Sequence, residues 1–163
     1  MLAFRLILGL VIVSILGVRI SKSIQFEQNC SGYLKRASDA NTVESAKHEL
    51  EKSIKYLEAH NLTNGYTSVL YQTPDEDIEF WYNNLKQSHK ELSKVTSKTS
   101  SLEKTNMLMK LRETILDNGK EGDSLTIPDG ISVYPNNLLW GILTTVSLIA
   151  LIGIILSFLS YKI

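Results

Sequence analysis

The sequence predicts a mainly α-helical protein in which two transmembrane helices flank a water-exposed, bundle-like domain of three or four helices. Three observations predict this fold class. Uncharged apolar runs lie near both ends of the chain, at Leu6–Val18 and Leu138–Leu159. All 17 acidic residues of the 163-residue chain lie between these runs. Within that polar part, apolar residues recur at three- and four-residue steps, which is the period of an amphipathic helix.

These observations divide the chain into a transmembrane helix at residues 2–20, a soluble helical domain at 21–137 and a second transmembrane helix at 138–160. The C-terminal run has the roughly 20 apolar residues that a helix needs to cross a membrane core. The N-terminal run is shorter. It reaches that length if Leu2–Phe4 belong to it and the side chain of Arg5 extends its guanidinium to the headgroups.

A cleaved signal peptide is the alternative interpretation of the N-terminal run. Arg5 would then be its basic region and Leu6–Val18 its apolar region. However, no A-x-A cleavage pattern follows, and Arg19 and Lys22 come directly after the apolar residues. We therefore expect an uncleaved signal anchor.

Positively charged residues flank membrane spans mainly on the cytoplasmic side. Lys162 follows the C-terminal run, whereas no Lys or Arg occurs between Glu121 and Tyr161. This asymmetry predicts a cytoplasmic C-terminus. Because two spans place both termini on one side, the N-terminus is expected there too, and the helical domain is expected to be periplasmic or extracellular.

The first half of the domain is predicted to be helical. The N-terminal membrane helix is expected to continue outwards over Ile24–Ala37 despite Gly32. A second helix is expected over Asn41–His60, with Asp39 or Asn41 as its N-cap. Its apolar stripe consists of Val43, Ala46, Leu50, Ile54 and Leu57.

The stretch TPDEDIEFWYNNL, Thr73–Leu85, is typical of the start of a helix. Thr73 suits the N-cap and Pro74 the first helical position. The acidic residues Asp75–Asp77 would then face the unpaired N–H groups of the first turn. The apolar stripe that follows has a spacing close to the heptad of a coiled coil, at Ile78, Trp81, Leu85, Leu92 and Val95. Between these two helices, Tyr66–Tyr71 is expected to form a packed loop or helical turn and not a lone strand.

The last helix of the domain is expected to begin at a capping box formed by Ser100 and Glu103. Gly119 lies where a C-terminal cap is usual. Glu121–Asn137 is expected to be a short extended turn around Pro128–Gly130, leading the chain back to the membrane.

The sequence offers no motif for catalysis, a cofactor or a metal. Asp75, Asp77 and Glu79 alternate like the start of a calcium loop. However, the sixth and twelfth positions hold Phe80 and Lys86 where Gly and Glu are needed, so the alternative is a divalent-ion site that Asp75 and Asp77 form with distant ligands. Nucleophile-elbow, P-loop and dinucleotide-binding motifs are absent. We therefore predict a protein that is not an enzyme and has no cofactor. Nucleic acid is not an expected partner, because the domain is not basic.

One lysine series is a candidate contact surface. Lys86, Lys90, Lys94 and Lys98 recur every four residues and would form one cationic edge of a helix. This edge could contact lipid headgroups or an acidic protein partner, and the alternative is an ordinary solvated face.

The layout of two spans around a water-exposed helical domain resembles the sensory half of bacterial chemoreceptors and sensor kinases. We expect a non-catalytic accessory or scaffold subunit that binds a protein partner, or a second copy of itself, near the membrane surface. The alternative is an extracytoplasmic sensor or small-ligand-binding domain coupled through its spans to a membrane partner. That alternative predicts a pocket between helices lined by Tyr56, Tyr71, Trp81 and Tyr82.

Overall fold

The structure, a computed structural model, describes residues 2–119 and 122–161. It is mainly helical. A two-stranded antiparallel hairpin, β1 (Leu116–Gly119) and β2 (Gly122–Leu125), follows the fifth helix. Short 3-10 turns lie at Pro74–Glu76 and Ile131–Val133. The α-helices are α1 (Leu2–Phe26), α2 (Gly32–Ser38), α3 (Val43–Ala59), α4 (Ile78–Ser93), α5 (Ser101–Ile115) and α6 (Asn137–Tyr161).

Two helices are long and apolar enough to cross a membrane. They cover Leu6–Ser38 and Asn137–Ser157, with mean hydropathies of 1.9 and 2.4. Only 6% of the most apolar window of each is buried, whereas the core helix of a soluble protein would be mostly buried.

Helices α1 and α2 are two halves of one helix, joined by a π-helical segment at Glu27–Ser31. The backbone N–H of Gly32 donates to the carbonyl of Glu27, which is the wider spacing of a π-turn. A Cβ atom at Gly32 would lie 3.1 Å from that carbonyl oxygen, so glycine fits this close contact well. The prediction that the first helix continues beyond its apolar run is confirmed, and the π segment within it was not foreseen.

Helix α3 lies at the centre of the domain core, in contact with α2, α4 and α5. The stripe predicted for it, from Val43 to Leu57, is buried. Facing residues on the other helices are also buried: Leu34 on α2, Ile78 and Leu85 on α4, Leu111 and Ile115 on α5. The buried hydroxyl of Ser53 donates to the carbonyl of Cys30 at 3.0 Å, which ties α3 to the π segment.

The predicted N-caps are partly wrong. Thr42, and not Asp39 or Asn41, caps α3, because its side chain accepts a hydrogen bond from the N–H of Ser45 at 3.2 Å. The Ser100 cap of α5 is confirmed, with its hydroxyl accepting from the N–H of Glu103 at 3.2 Å.

Helix α4 begins at Ile78, later than the predicted Thr73 cap. Residues Pro74–Glu76 form a separate 3-10 turn, and the carboxylate of Asp77 accepts from the N–H groups of Glu79 and Phe80 at 2.9 and 3.1 Å. A single bridge between Tyr66 and Asp77 pairs the preceding loop with this turn, which agrees with the prediction of a loop and not a strand.

Helix α5 ends at Ile115 and not at the predicted Gly119. The reason is a tertiary contact: the N–H of Thr126 donates to the Ile115 carbonyl at 2.8 Å, and its hydroxyl lies 3.0 Å from the carbonyls of Thr114 and Ile115. These bonds satisfy the last carbonyls of the helix. The chain from Leu116 is extended and pairs with β2, so the hairpin occupies part of the region that was expected to be helix and turn.

Candidate functional site

The C-terminal part of α1 and the N-terminal part of α6 are joined by a side-chain hydrogen bond and a cation–π contact. The guanidinium of Arg19 donates to the hydroxyl of Thr144 at 2.8 Å. The ammonium of Lys22 lies 5.7 Å from the ring centroid of Trp140, within cation–π range. From Arg19 to Lys22 the chain advances along α1, whereas their partners Thr144 and Trp140 go back along α6. The two helices therefore run antiparallel.

Most of the apolar surface of this helix pair is uncovered. Ile12 and Ser147 are buried, at 3% and 4% exposure, where α1 and α6 are in contact. The glycines are not used in this contact: no atom outside the local helix backbone lies within 4 Å of a Cβ built at Gly9, Gly17, Gly141 or Gly153. The glycine faces of both helices are therefore open.

A cleft of about 430 Å³ lies between the start of α4, the end of α5 and strand β2. Trp81 and Phe80 line one wall, and Thr114 and Thr126 line another. Its remaining lining includes five carboxylates: Asp75, Glu76, Asp77, Asp117 and Asp129. Within the described residues, none of these carboxylates forms a salt bridge with a lysine or arginine. The cleft is therefore acidic and would attract cations over anions.

The four aromatic residues predicted to line a pocket do not come together. Only Trp81 lines the cleft. Tyr56 contacts the rings of Phe26 and His60, at centroid distances of 6.0 and 4.1 Å. Tyr71 is 73% exposed in the loop after α3, and Tyr82 donates a 2.6 Å hydrogen bond to Glu58. The space between the helices is filled by the apolar core.

The predicted lysine edge is only partly helical. Lys86 donates to Glu58 at 2.8 Å, and both side chains are about half exposed. This hydrogen bond raises the pKa of Lys86 and, together with the bond from Tyr82, lowers the pKa of Glu58. Lys90 lies in the last turn of α4, whereas Lys94 caps its C-terminus and Lys98 follows in the turn. The four lysines therefore do not continue along one helix.

One buried and one half-buried titratable group were not predicted from the sequence. Glu49 is 4% exposed, and one of its carboxylate oxygens accepts from Arg36 and Lys52 at 3.2 and 3.1 Å. Its place one residue before Leu50, on the buried stripe of α3, is the signal that could have indicated burial. His89 is half-buried on α4, and burial lowers its pKa.

Metal-binding geometry is absent from the part of the chain that the structure describes: no three His, Cys, Asp or Glu side chains are grouped to hold an ion. His48, His60 and His89 form no such group there.

Comparisons of this chain with protein-family models, with curated proteins and with solved structures found no match. We therefore infer function from the geometry of the two apolar helices, the loops beside them and the acidic cleft.

Proposed function

We propose that this chain is a membrane-anchored, non-catalytic helical protein that acts as an accessory or scaffold subunit. Its helical domain would bind a protein partner, or a second copy, near the membrane surface. The observation that carries this proposal is the apolar surface left uncovered on α1 and α6, where Leu10, Val13 and Ile149 are 70%, 70% and 65% exposed. Soluble monomers rarely expose apolar patches this extensive, so a bilayer is the environment that suits both helices.

The pairing of α1 with α6 supports the rest of the arrangement. An antiparallel pair brings both chain ends to the same side, which fits cytoplasmic termini and an extracytoplasmic domain. The contact between Arg19 and Thr144 also favours an uncleaved signal anchor, because cleavage of the first segment would remove part of this pair. The packing of α2, α4 and α5 around α3 supports a bundle-like domain.

Two kinds of surface are available to a partner. Gly141 and Gly153 each leave an open position on α6, and small residues allow a second membrane helix to approach closely. Outside the membrane, exposed lysines such as Lys90 at the end of α4 could contact an acidic partner. We propose that one partner, a membrane protein with an acidic surface beside the bilayer, contacts both surfaces.

The test uses intact membranes and the full chain. A photo-crosslinking side chain is placed at Lys90 or Gly141, with Lys55 as the matched control because its ammonium is exposed and paired with Glu51. We expect the protein to resist alkaline carbonate extraction and to give defined adducts from Lys90 and Gly141 that Lys55 does not give. Extraction by carbonate would contradict the membrane anchoring, and adducts absent at all three positions would contradict the scaffold role.

The acidic cleft favours a second function, as a sensor or small-ligand-binding domain. A ligand entering it would contact Trp81, whose emission can be isolated in a Trp140→Phe background because the chain has two tryptophans. We propose titration with a panel of small organic amines. A saturable change in Trp81 emission that Asp117→Asn weakens would support this function, and an unchanged emission across the panel would reject it.

A further inference from the structure

We propose that the loop at residues 68–71 inserts its apolar side chains into the headgroup region of the bilayer beside α6. It would be a third lipid contact in addition to the two spans. This inference rests on the proposed membrane-spanning role of α1 and α6.

The loop presents three consecutive large apolar side chains to its surroundings. Val69, Leu70 and Tyr71 are 47%, 87% and 73% exposed. The residue directly before the loop is buried instead, since Thr67 is 3% exposed. An exposed apolar tip on a buried base differs from the single, scattered apolar residues that are normal on a soluble surface.

The loop is held at the level where α6 begins. The side-chain amide of Asn137, the first residue of α6, donates to the carbonyl of Thr67 at 2.7 Å. Leu138 and the apolar run of α6 follow at once. Since an extended chain spans at most about 3.6 Å per residue, Leu70 lies within about 11 Å of Thr67 along the chain. The tip is therefore within reach of the interfacial layer, which is about 5–8 Å thick on each side of the hydrocarbon core.

Backbone contacts restrict the movement of this loop. The N–H of Ile78 donates to the Gly65 carbonyl at 2.9 Å, and the N–H of Thr67 donates to the Glu76 carbonyl at 3.1 Å. Gly65 has a φ of +92°, and the hydroxyl of Tyr134 occupies the place that a Cβ would take, so this position requires glycine. The loop is thereby fixed on two sides, against the start of α4 and against the segment that leads into α6.

The chemistry of the loop fits a lipid interface better than a charged partner. No charged residue occurs from Tyr66 to Thr73, and a tyrosine ring with its hydroxyl suits the boundary between hydrocarbon and water. The nearest acidic side chains, Asp75 and Glu76, follow the loop, so a strongly anionic surface would oppose the contact. We therefore commit to a zwitterionic lipid surface as the occupant.

The experiment reconstitutes the full chain in phosphatidylcholine vesicles and reads the depth of single positions. Leu70→Cys is labelled with an environment-sensitive fluorophore, and nitroxide-labelled lipids serve as quenchers. Leu102→Cys is the matched control, because Leu102 is 71% exposed and lies on α5, which packs on α2, α3 and α4. Native Cys30 is fully buried and should not react, and the unsubstituted chain verifies this. The absence of a second label, on Cys30, also shows that each variant is folded.

We expect the label at Leu70 to emit at shorter wavelength and to be quenched by shallow nitroxide lipids several-fold more than the label at Leu102. A third position, Leu10→Cys, reports on the span itself. If Leu10 is quenched by deep nitroxides while Leu70 behaves like Leu102, the loop inference is overturned and the span stands. If Leu10 is not quenched, the span proposal fails as well. If neither nitroxide lipids nor aqueous iodide quench the label at Leu70, another part of the protein covers this position, and the inference is overturned as well.

Discussion

Asp77 illustrates how a single carboxylate sets the start of a helix. It accepts hydrogen bonds from Glu79 and Phe80, two of the N–H groups that have no partner within α4. We expect Asp77→Ala to lower the free energy of unfolding by about 1 kcal/mol, measured by urea denaturation of the reconstituted chain. Asp75→Ala is the control, because Asp75 lies in the preceding 3-10 turn and does not cap α4. Equal losses from both variants would contradict this assignment.

Leu50 is the residue through which the core can be tested most directly. It is fully buried at the centre of α3. Replacing it with alanine leaves a cavity among α2, α4 and α5, so we expect Leu50→Ala to lower the free energy of unfolding by about 2–5 kcal/mol. Leu102→Ala removes the same atoms from an exposed site and should change it by less than about 0.5 kcal/mol. Similar effects of the two substitutions on chemical denaturation would argue against this packing.

His89 gives the fold a pH dependence near neutrality. Burial lowers its pKa below the ordinary value of 6.5, nearby Glu51 opposes this effect, and Lys47 and Lys86 add to it. The unfolded chain should therefore bind more protons at this residue than the folded chain just below pH 6.5, so the contribution of His89 to stability is complete above that pH and decreases as the pH falls through this window. We expect His89→Gln to flatten the unfolding free energy between pH 5 and 7. His48→Gln, at an exposed position, is the control, and an unchanged profile in His89→Gln would reject the assignment.

At the scale of elements, the π segment can be explained as one residue too many in a continuous helix. Such a bulge absorbs a single extra residue while the helix on either side keeps its facing residues. Asn29 is exposed there. Within the described residues, its side chain forms one hydrogen bond, which its amide donates to the carbonyl of Gln25. Deletion of Asn29 should therefore preserve both the contact of α1 with α6 and the packing of Leu34.

Insertion of an alanine after Asn29 is the matched opposite change. It rotates α2 relative to α1 by about 100°, because one residue adds that angle in a helix of 3.6 residues per turn. We expect the insertion to lower the thermal midpoint of the reconstituted protein more than the deletion does. The reverse order in thermal denaturation would show that the π segment is not an absorbed insertion.

The interiors of the elements could be predicted from the sequence, and several of their ends could not. The stripe of α3 and the heptad-like positions of α4 are local patterns that reflect burial directly. The end of α5 depends instead on Thr126, which reaches the carbonyl of Ile115 from beyond the hairpin. Thr73 and Asp77 are both suitable N-caps by sequence, so the start of α4 could not be decided from local pattern. The bridge from Tyr66 to Asp77 favours the later start, at Ile78.

At the scale of the whole molecule, the proposed topology can be tested with one cysteine. Lys98 is exposed in the turn between α4 and α5, and native Cys30 is buried. We expect Lys98→Cys to react in intact cells with a thiol reagent that cannot cross membranes, since the domain is proposed to be extracytoplasmic. The unsubstituted chain should not react. Labelling of Lys98→Cys only after lysis would reverse the proposed orientation.

The candidate surfaces were harder to predict than the two long apolar helices. A span is a property of one continuous apolar run, so it is visible in composition. The acidic cleft joins Asp75 to Asp117 and Asp129, and no local pattern relates residues so distant in the chain. The predicted aromatic pocket treated Tyr56, Tyr82 and Trp81 as neighbours, whereas the folded chain points Tyr82 to Glu58 and Trp81 to the cleft.

If α1 spans a bilayer as proposed, the continuous helical path from α1 into α2 would make the domain sensitive to the thickness of that bilayer. From Ile20 to Ser38 the helix extends about 27 Å, so a change of about 10° in its tilt would displace its far end by about 5 Å. The guanidinium of Arg112 holds that end by donating to the Ser38 carbonyl at 3.0 Å, and α6 holds the other end at Arg19. Under the proposed topology, a thinner membrane that increases the tilt would therefore strain the hydrogen bond from Arg112 to the Ser38 carbonyl, at the junction of α2 with α5.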